Sequence, residues 1–180
     1  MHVAFPGDWA ILLWIQEWMR SAWLDAIVPL YSSLGNGGLI WLVIAAICLL
    51  TKRYRRVGLA MICGLAIGWV VGNGVIKPFV ARARPCWLAP DVALLIPIPQ
   101  DFSFPSGHTL SSVIAATTMW CSGIRWLGMV GVVMATLMAL SRLYLFVHFP
   151  SDIIAGIVLG VAIGYGVSHF CYKKGTNSKS

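Results

Sequence analysis

Three separated stretches of this sequence concentrate cationic, histidine and small polar side chains. They are KPFVARARP (Lys77–Pro85), PSGH (Pro105–His108) and SRLYLFVHFPSD (Ser141–Asp152). The first and third stretches supply the cations Lys77, Arg84 and Arg142. A guanidinium presents a planar fork of donors that matches phosphate oxygens, and an ammonium adds a point charge. The three cations are therefore a candidate clamp for an anion, most naturally a phosphate.

The tetrad PSGH stands directly before an apolar run, which predicts that it begins a helix. Pro105 suits a helix start, because proline lacks the N–H that a helix interior needs. The unpaired N–H groups around Ser106, Gly107 and His108 would point at the same anion, aided by the positive end of the helix dipole. Gly107 has no Cβ and lets the backbone approach closely. Ser106 and Gly107 therefore join the three cations as candidate binding residues.

Two histidines supply chemistry that binding alone does not require. His148 precedes Asp152 by four residues, a spacing that can put both on one helix face. An aspartate that accepts from one imidazole nitrogen fixes the tautomer and leaves the other nitrogen as a nucleophile or base. His108, in a different stretch, could protonate a leaving alkoxide. Clamp, nucleophile, orienting acid and proton donor together form a set for phosphoryl transfer.

The elements that carry these residues are predicted to be membrane helices. Of the 180 residues, 59% are hydrophobic and 11% are charged, whereas soluble domains are about 25% charged. Apolar runs cover residues 38–50, 57–76, 109–138 and 153–172. Because a span needs about 20 residues, Arg125 divides the third run into two helices. We expect an all-α polytopic membrane bundle with five transmembrane helices, in a single domain over residues 1–180.

The segment before Gly35 allows two predictions. It is rich in Trp and interrupted by acidic residues and by Pro29. It is either a sixth, polar-interrupted span or a pair of helices lying at the membrane interface. We favour the interfacial pair, because acidic residues at membrane depth are costly. The N-terminus lacks a basic region before its apolar residues, so we expect no cleavable signal peptide.

Lysine and arginine predict the orientation. With alternating helices, one side collects Lys52, Arg53, Arg55, Arg56, Arg125, Lys173, Lys174 and Lys179. By the positive-inside tendency that side is cytoplasmic. The three polar stretches then lie on the extracytoplasmic face, where their charge runs against the rule and indicates function. Within the first stretch, Arg82 is interpreted either as a headgroup contact or as a solvated charge.

The patterns K-x6-R-P, P-S-G-H and S-R-x5-H-x3-D resemble, in order and spacing, the motifs of the type 2 phosphatidic acid phosphatase superfamily. The resemblance covers Val57 to Tyr172. It implies phosphate binding by Lys77, Arg84, Ser106, Gly107 and Arg142. It also implies that His148 attacks phosphorus to form a phosphohistidine, that Asp152 orients it, and that His108 protonates the leaving group. No metal and no cofactor is expected.

We therefore expect a multi-pass phosphatase in the bacterial cytoplasmic (inner) membrane. Undecaprenyl diphosphate is the first choice of substrate, and phosphatidylglycerol phosphate, phosphatidate and the 1-phosphate of lipid A are alternatives. Transfer to another lipid is a second enzymatic hypothesis. A lipid carrier is the non-enzymatic one, although carriers place their sites near the midplane between repeats. The expected partners are the lipid phosphate substrate and membrane lipids, with no nucleic acid and no obligatory protein partner.

Overall fold

The computed structural model describes residue 5 and residues 7–173, and this part of the chain forms helices and loops without a strand. Its α-helices are α1 (Asp8–Trp18), α2 (Ala22–Ser33), α3 (Leu39–Leu50), α4 (Arg55–Gly68), α5 (Lys77–Val80), α6 (Pro85–Leu88), α7 (Gly107–Cys121), α8 (Arg125–Tyr144) and α9 (Pro150–Lys173). A π-helical segment, Trp69–Ile76, joins α4 to α5. The all-α prediction is confirmed. Lys174 and Lys179, predicted to be cytoplasmic, lie outside the described residues.

Helix length and composition support several membrane spans. In the described residues, three segments are long and apolar enough to cross a membrane: Lys52–Leu88, Arg125–Tyr144 and Pro150–Tyr172. The pair α2 and α3 would add a fourth if it forms one bent span. Helix α7 has 15 residues, which at 1.5 Å per residue is about 22 Å, shorter than the roughly 30 Å hydrocarbon core. The count of five spans stays a prediction.

The connection between α2 and α3 bends the N-terminal part of the chain. The two helices meet at an angle of 49°. Between them Gly37 and Gly38 have positive φ angles of 59° and 73°, which glycine adopts readily because it has no Cβ. The N-terminal part of the chain forms two helices, α1 and α2, before this bend, and their location at the membrane interface stays a prediction.

Helix α7 lies inside the bundle, packed against α4, α8 and α9. Its inner residues, including Thr109, Ile114 and Met119, are buried. Helix α9 comes close because it presents glycine there: a Cβ added at Gly156 would lie 3.1 Å from the carbonyl oxygen of Ser106. This close approach holds the beginning of α7, with the PSGH tetrad, against the first turns of α9.

Candidate active site

A cavity of about 770 Å³ lies beside the beginning of α7 and the end of α8. Residues from all three polar stretches line it: Lys77, Arg84, Gly107, His108, Arg142 and His148. Its apolar lining includes Leu42, Ile62, Leu65 and Leu110. The fold therefore brings the predicted cations and both histidines to one space that also has hydrocarbon walls.

His148 lies in the loop between α8 and α9 with 1% of its surface exposed. Its Nε2 is 3.2 Å from Nη1 of Arg84. Because a guanidinium only donates, Nε2 accepts and the ring proton is assigned to Nδ1. Burial, followed by the charges of Arg84, Arg142 and Lys77, lowers the pKa of His148 well below its usual value. The imidazole is therefore neutral and has a lone pair at Nε2.

The other ring nitrogen of His148 faces Asp152. Nδ1 lies 3.6 Å from Oδ2 of Asp152. The hydroxyl of Ser103 donates to the same Oδ2 and lies 3.5 Å from Nδ1. The backbone N–H of Phe149 also donates to Oδ2, at 2.8 Å. Asp152, which is fully buried, is thus held beside the imidazole. The sequence analysis missed Ser103, because a single serine in a loop gives no signal for this role.

Arg84 is fixed in position by the backbone. Its Nε donates to the carbonyl oxygen of Asp101 at 2.7 Å, and its Nη1 donates to that of Val147 at 2.7 Å. Only 3% of Arg84 is exposed. A donor held in this way needs little reorganisation when an anion arrives, which is the arrangement that stabilises developing charge most effectively.

The carboxylate of Asp101, in the loop before α7, lies among these cations. It accepts from Nη2 of Arg84 at 2.8 Å and also pairs with Nζ of Lys77. Although partial burial opposes ionisation, Lys77 and Arg84 lower the pKa of Asp101 to about 2. Asp101 was not among the predicted site residues. An incoming phosphate would meet a carboxylate already paired with two of the clamp cations.

Arg142 is held from the N-terminal part of the chain. Its Nη1 donates to Oγ of Ser32, in α2, at 2.6 Å. Its Nε is buried and has no hydrogen-bond partner among the described residues. Arg142 therefore keeps a spare donor at the wall of the cavity, and its orientation depends on a helix that carries none of the three polar stretches.

The beginning of α7 differs in part from the predicted anion site. The Ser106 hydroxyl accepts from the N–H of Thr109 at 3.5 Å, and the Ser106 N–H donates to the carbonyl oxygen of Asp152 at 3.2 Å. Ser106 is fully buried and does not line the cavity, whereas Gly107 and His108 do. The N–H of Ser106 is therefore not open to an anion, because it ties α7 to α9.

His108 also contacts the N-terminal part of the chain. Its Nε2 lies 3.1 Å from Oδ1 of Asn36, in the turn before α3. Gly35 faces the ring at close range, since a Cβ there would lie 2.7 Å from Cδ2 of His108. A larger residue at Gly35 would displace the ring, so this turn sets the position of the predicted proton donor.

Both interpretations of Arg82 from the sequence were wrong. Arg82 is 3% exposed and is absent from the cavity lining. It donates to Oδ1 of Asp152 at 2.6 Å and to Oδ2 of Asp8 at 2.7 Å. It is thus neither a solvated charge nor a headgroup contact. Asp8 stands 74 residues earlier in the chain, and nothing in the local pattern links the two.

Comparison with families of known proteins gives one match to most of the chain. A family model described as the PAP2 superfamily matches residues 53–176. The matched range contains all three polar stretches and excludes α1, α2 and α3.

Individual relatives agree with this match. The chain is 36% identical over 126 residues to an undecaprenyl-diphosphatase of Sulfolobus acidocaldarius, an alignment that spans 70% of this chain and 61% of that protein. It is 35% identical over 135 residues to a decaprenylphosphoryl-5-phosphoribose phosphatase of Mycobacterium tuberculosis, spanning 74% and 72%. The crystal structure of a transmembrane PAP2-type phosphatidylglycerolphosphate phosphatase from Bacillus subtilis superposes with a TM-score of 0.76 at 26% identity, over 93% of this chain and 86% of that one.

Proposed function

Because this chain belongs to the PAP2 superfamily, whose family model matches residues 53–176, we propose that it is an integral membrane phosphatase of lipid phosphates or diphosphates. One observation carries the proposal: neutral His148 shares a cavity with Lys77, Arg84 and Arg142, and the cavity has apolar walls. Cationic donors suit a phosphate, an unprotonated imidazole nitrogen suits a nucleophile, and apolar walls suit a lipid.

In the first step, Nε2 of His148 attacks the terminal phosphorus, and the bond from that phosphorus to the leaving oxygen breaks. Lys77, Arg84 and Arg142 stabilise the charge on the other phosphoryl oxygens. The anionic substrate favours the doubly protonated, charged form of His108, which gives one of its two ring protons to the departing oxygen. The step yields a phosphohistidine and a lipid with one phosphate fewer.

In the second step, water attacks the phosphohistidine and the P–N bond breaks. His108, which lost its proton in the first step, takes one from the water. Inorganic phosphate leaves, and His148 returns to its neutral form. Asp152, whose Oδ2 lies 3.6 Å from Nδ1 of His148, faces the Nδ1–H in both steps and stabilises the positive charge that develops on the ring.

Undecaprenyl diphosphate is the proposed substrate, and undecaprenyl phosphate and inorganic phosphate are the products. The name of the Sulfolobus acidocaldarius relative supports this choice, as do Leu42, Ile62 and Leu65 beside the cations. Phosphatidylglycerol phosphate, named for the Bacillus subtilis structure, is the main alternative, followed by phosphatidate and lipid A 1-phosphate.

Phosphate release from a panel of purified lipid phosphates tests the function. The purified full chain should release phosphate fastest from undecaprenyl diphosphate. With a substrate that carries a labelled terminal phosphate, acid-labile phosphate label should accumulate on the protein during turnover. Release from none of the lipids would overturn the proposal. Label that moves to an added lipid instead of to water would make the protein a phosphotransferase.

We assign the site to the extracytoplasmic face of the bacterial cytoplasmic membrane, because the positive-inside tendency puts Lys52 and Arg53 in the cytoplasm. Native Cys86 is a poor reporter, since it is only 4% exposed. In a Cys-free background, an impermeant thiol reagent applied to intact cells should label Asp91→Cys and spare Lys52→Cys, both at exposed positions. The reverse pattern would invert the orientation.

A further inference from the structure

The buried guanidinium of Arg82 joins two carboxylates from opposite ends of the chain. Nη1 donates to Oδ1 of Asp152 at 2.6 Å and to Oγ of Ser151 at 2.7 Å. Nη2 donates to Oδ2 of Asp8 at 2.7 Å. The guanidinium carbon lies 4.4 Å from the centroid of the Phe149 ring. All of these groups are behind the cavity wall, because Arg82 and Asp152 do not line the cavity.

Asp8, in the first turn of α1, is itself fixed on several sides. It is 4% exposed. Its Oδ1 accepts from the N–H of Ser151 at 3.0 Å, and its Oδ2 accepts from the Ser151 hydroxyl at 2.6 Å. The carboxylate therefore sets both the position of Ser151, next to Asp152, and the plane of the Arg82 guanidinium.

This network divides the oxygens of Asp152 between two tasks. Oδ1 accepts from Arg82, whereas Oδ2 faces Nδ1 of His148 and accepts from Ser103 and Phe149. Without Arg82, a fully buried carboxylate would lose its cation and could rotate away from His148. Removing one partner of a buried ion pair is costly, because the remaining charge is left uncompensated.

We infer that Asp8 and Arg82 are positioning residues for the reaction: they lock Asp152 in the orientation that keeps the proton of His148 on Nδ1. The inference rests on the proposed function, because it concerns the same nucleophile. It differs from a role in phosphate binding, for which the residue would have to reach the cavity, as Arg84 does. It also makes α1, outside the family match, a part of the catalytic machinery.

The experiment compares steady-state kinetics on undecaprenyl diphosphate and single-turnover formation of phosphohistidine. The variants are Asp8→Asn, Arg82→Gln, Arg82→Lys and the double variant Asp8→Asn/Arg82→Gln. Loss of groups that orient a metal-ligating histidine typically costs about 10-fold to 100-fold in activity, and we expect a similar loss in kcat and in phosphohistidine formation for the nucleophilic His148. KM and inhibition by inorganic phosphate should stay unchanged, since no phosphate contact is removed.

Two further results are expected. Arg82→Lys should recover part of the kcat lost in Arg82→Gln, because an ammonium can still pair with both carboxylates. Asp8→Asn should add little to Arg82→Gln in the double variant, because an Asn side-chain oxygen can still accept from Ser151 and only the charge pairing with Arg82 is lost. Asp25→Asn is the matched control: Asp25 also pairs in the N-terminal part, with Arg20 and the Tyr144 hydroxyl, and should leave kcat near that of the unchanged protein.

Several outcomes would overturn the inference. A rise in KM with kcat unchanged would mean that Arg82 binds substrate, and independent, multiplicative losses in the double variant would mean that Asp8 acts elsewhere. Variants at Asp8 or Arg82 that fold with lower thermal stability but have a normal kcat would show that these residues have a structural role only. If Arg82→Gln does not fold, Asp8→Asn and Arg82→Lys decide by the same criteria. An unchanged protein that hydrolyses no lipid phosphate would instead refute the proposed function.

Discussion

The two halves of the candidate site differ in what they contribute. The region from residue 77 to residue 152 carries the motifs and supplies the cations and histidines that line the cavity. The N-terminal region, residues 8–38, carries no motif, yet it supplies a hydrogen-bond partner for Arg82, Arg142 and His108. These contacts are Asp8 with Arg82, Ser32 with Arg142, and Asn36 with His108.

This difference separates the residues that contact the phosphate from the residues that orient them. Groups that contact the phosphate must have a particular chemistry, so their types and spacing form a recognisable pattern. Groups that orient them need only an acceptor at the right distance, and many side chains on many elements can provide one. Substitutions at residues 77–152 that contact the phosphate should therefore lower activity by large factors. Substitutions at residues 8–38 should lower activity by smaller factors.

The largest effect is expected at the nucleophile. His148→Ala should lower turnover by about 10³-fold or more on every substrate, because no other group replaces the attacking nitrogen. It should also abolish the acid-labile phosphorylated protein. Exposed His169, in α9 and outside the cavity lining, is the matched control, and His169→Ala should be near normal. A phosphorylated His148→Ala protein would reject the assignment.

The next effect should depend on the leaving group. His108→Ala should cost about 10²- to 10⁴-fold on a lipid monophosphate, whose alkoxide needs a proton. The loss should be smaller on a diphosphate or an activated aryl phosphate, because these leaving groups are weaker bases. Single-turnover rates across such a series provide the measurement. Equal losses throughout would show that His108 is not the proton donor.

A smaller effect is expected from the N-terminal region at Ser32. Ser32→Ala removes the acceptor of Arg142 Nη1, and the loss of a hydrogen bond to a charged group, about 1.5 to 3 kcal/mol, corresponds to about 10-fold to 150-fold in KM. The neighbouring Ser33 is the control, because its hydroxyl donates only to Leu30 of its own helix. If Ser33→Ala has the same effect, the Arg142 contact is not the cause.

Asp101→Asn should produce a modest gain in binding. The carboxylate competes with phosphate for Lys77 and Arg84, and partly exposed ion pairs contribute about 0.2 to 1 kcal/mol, so KM should fall by about 1.4-fold to fivefold. The pKa of Asp101 is about 2, below the ordinary value, so the carboxylate is charged at and above neutral pH. The gain should therefore be the same at every pH in that range. A higher KM would make Asp101 a binding group instead.

The smallest effect should follow metal removal. Lys77, Arg84 and Arg142 supply the positive charge that a divalent metal would otherwise provide, so turnover in excess EDTA should equal that of the untreated protein. Phosphate release with and without EDTA, followed by added Mg²⁺, is the measurement. Activity that disappears and returns only with Mg²⁺ would contradict this prediction. It would show that the cations of residues 77–152 do not supply enough positive charge for the phosphate.

The sequence predicted the helical membrane class and the cations and histidines that line the cavity, because both leave local signals. The high share of apolar residues indicates that lipid surrounds much of the chain. Lys77, Arg84, Arg142 and the two histidines occur at recognisable spacings. Ser106 was predicted less well. Its position at a helix start was correct, but its N–H bonds to the Asp152 carbonyl, a contact that depends on how closely α7 and α9 pack.

The number of spans could not be fixed from hydropathy alone. Helix α7 is buried by its neighbours, so packing inside the protein explains its apolar residues as well as contact with lipid would. Hydropathy cannot separate these two environments, because a protein interior and a bilayer are both apolar.

The sequence by itself determined which chemical groups this protein brings to its cavity, because phosphoryl transfer limits the side chains that can perform it. Only the tertiary structure decided how those groups are held. Asp8 and Arg82 are 74 residues apart and meet only because α1 packs beside the beginning of α9. Hydrogen bonds and ion pairs act over a few ångströms in space, so partners that are distant along the chain leave no periodic or local pattern in it.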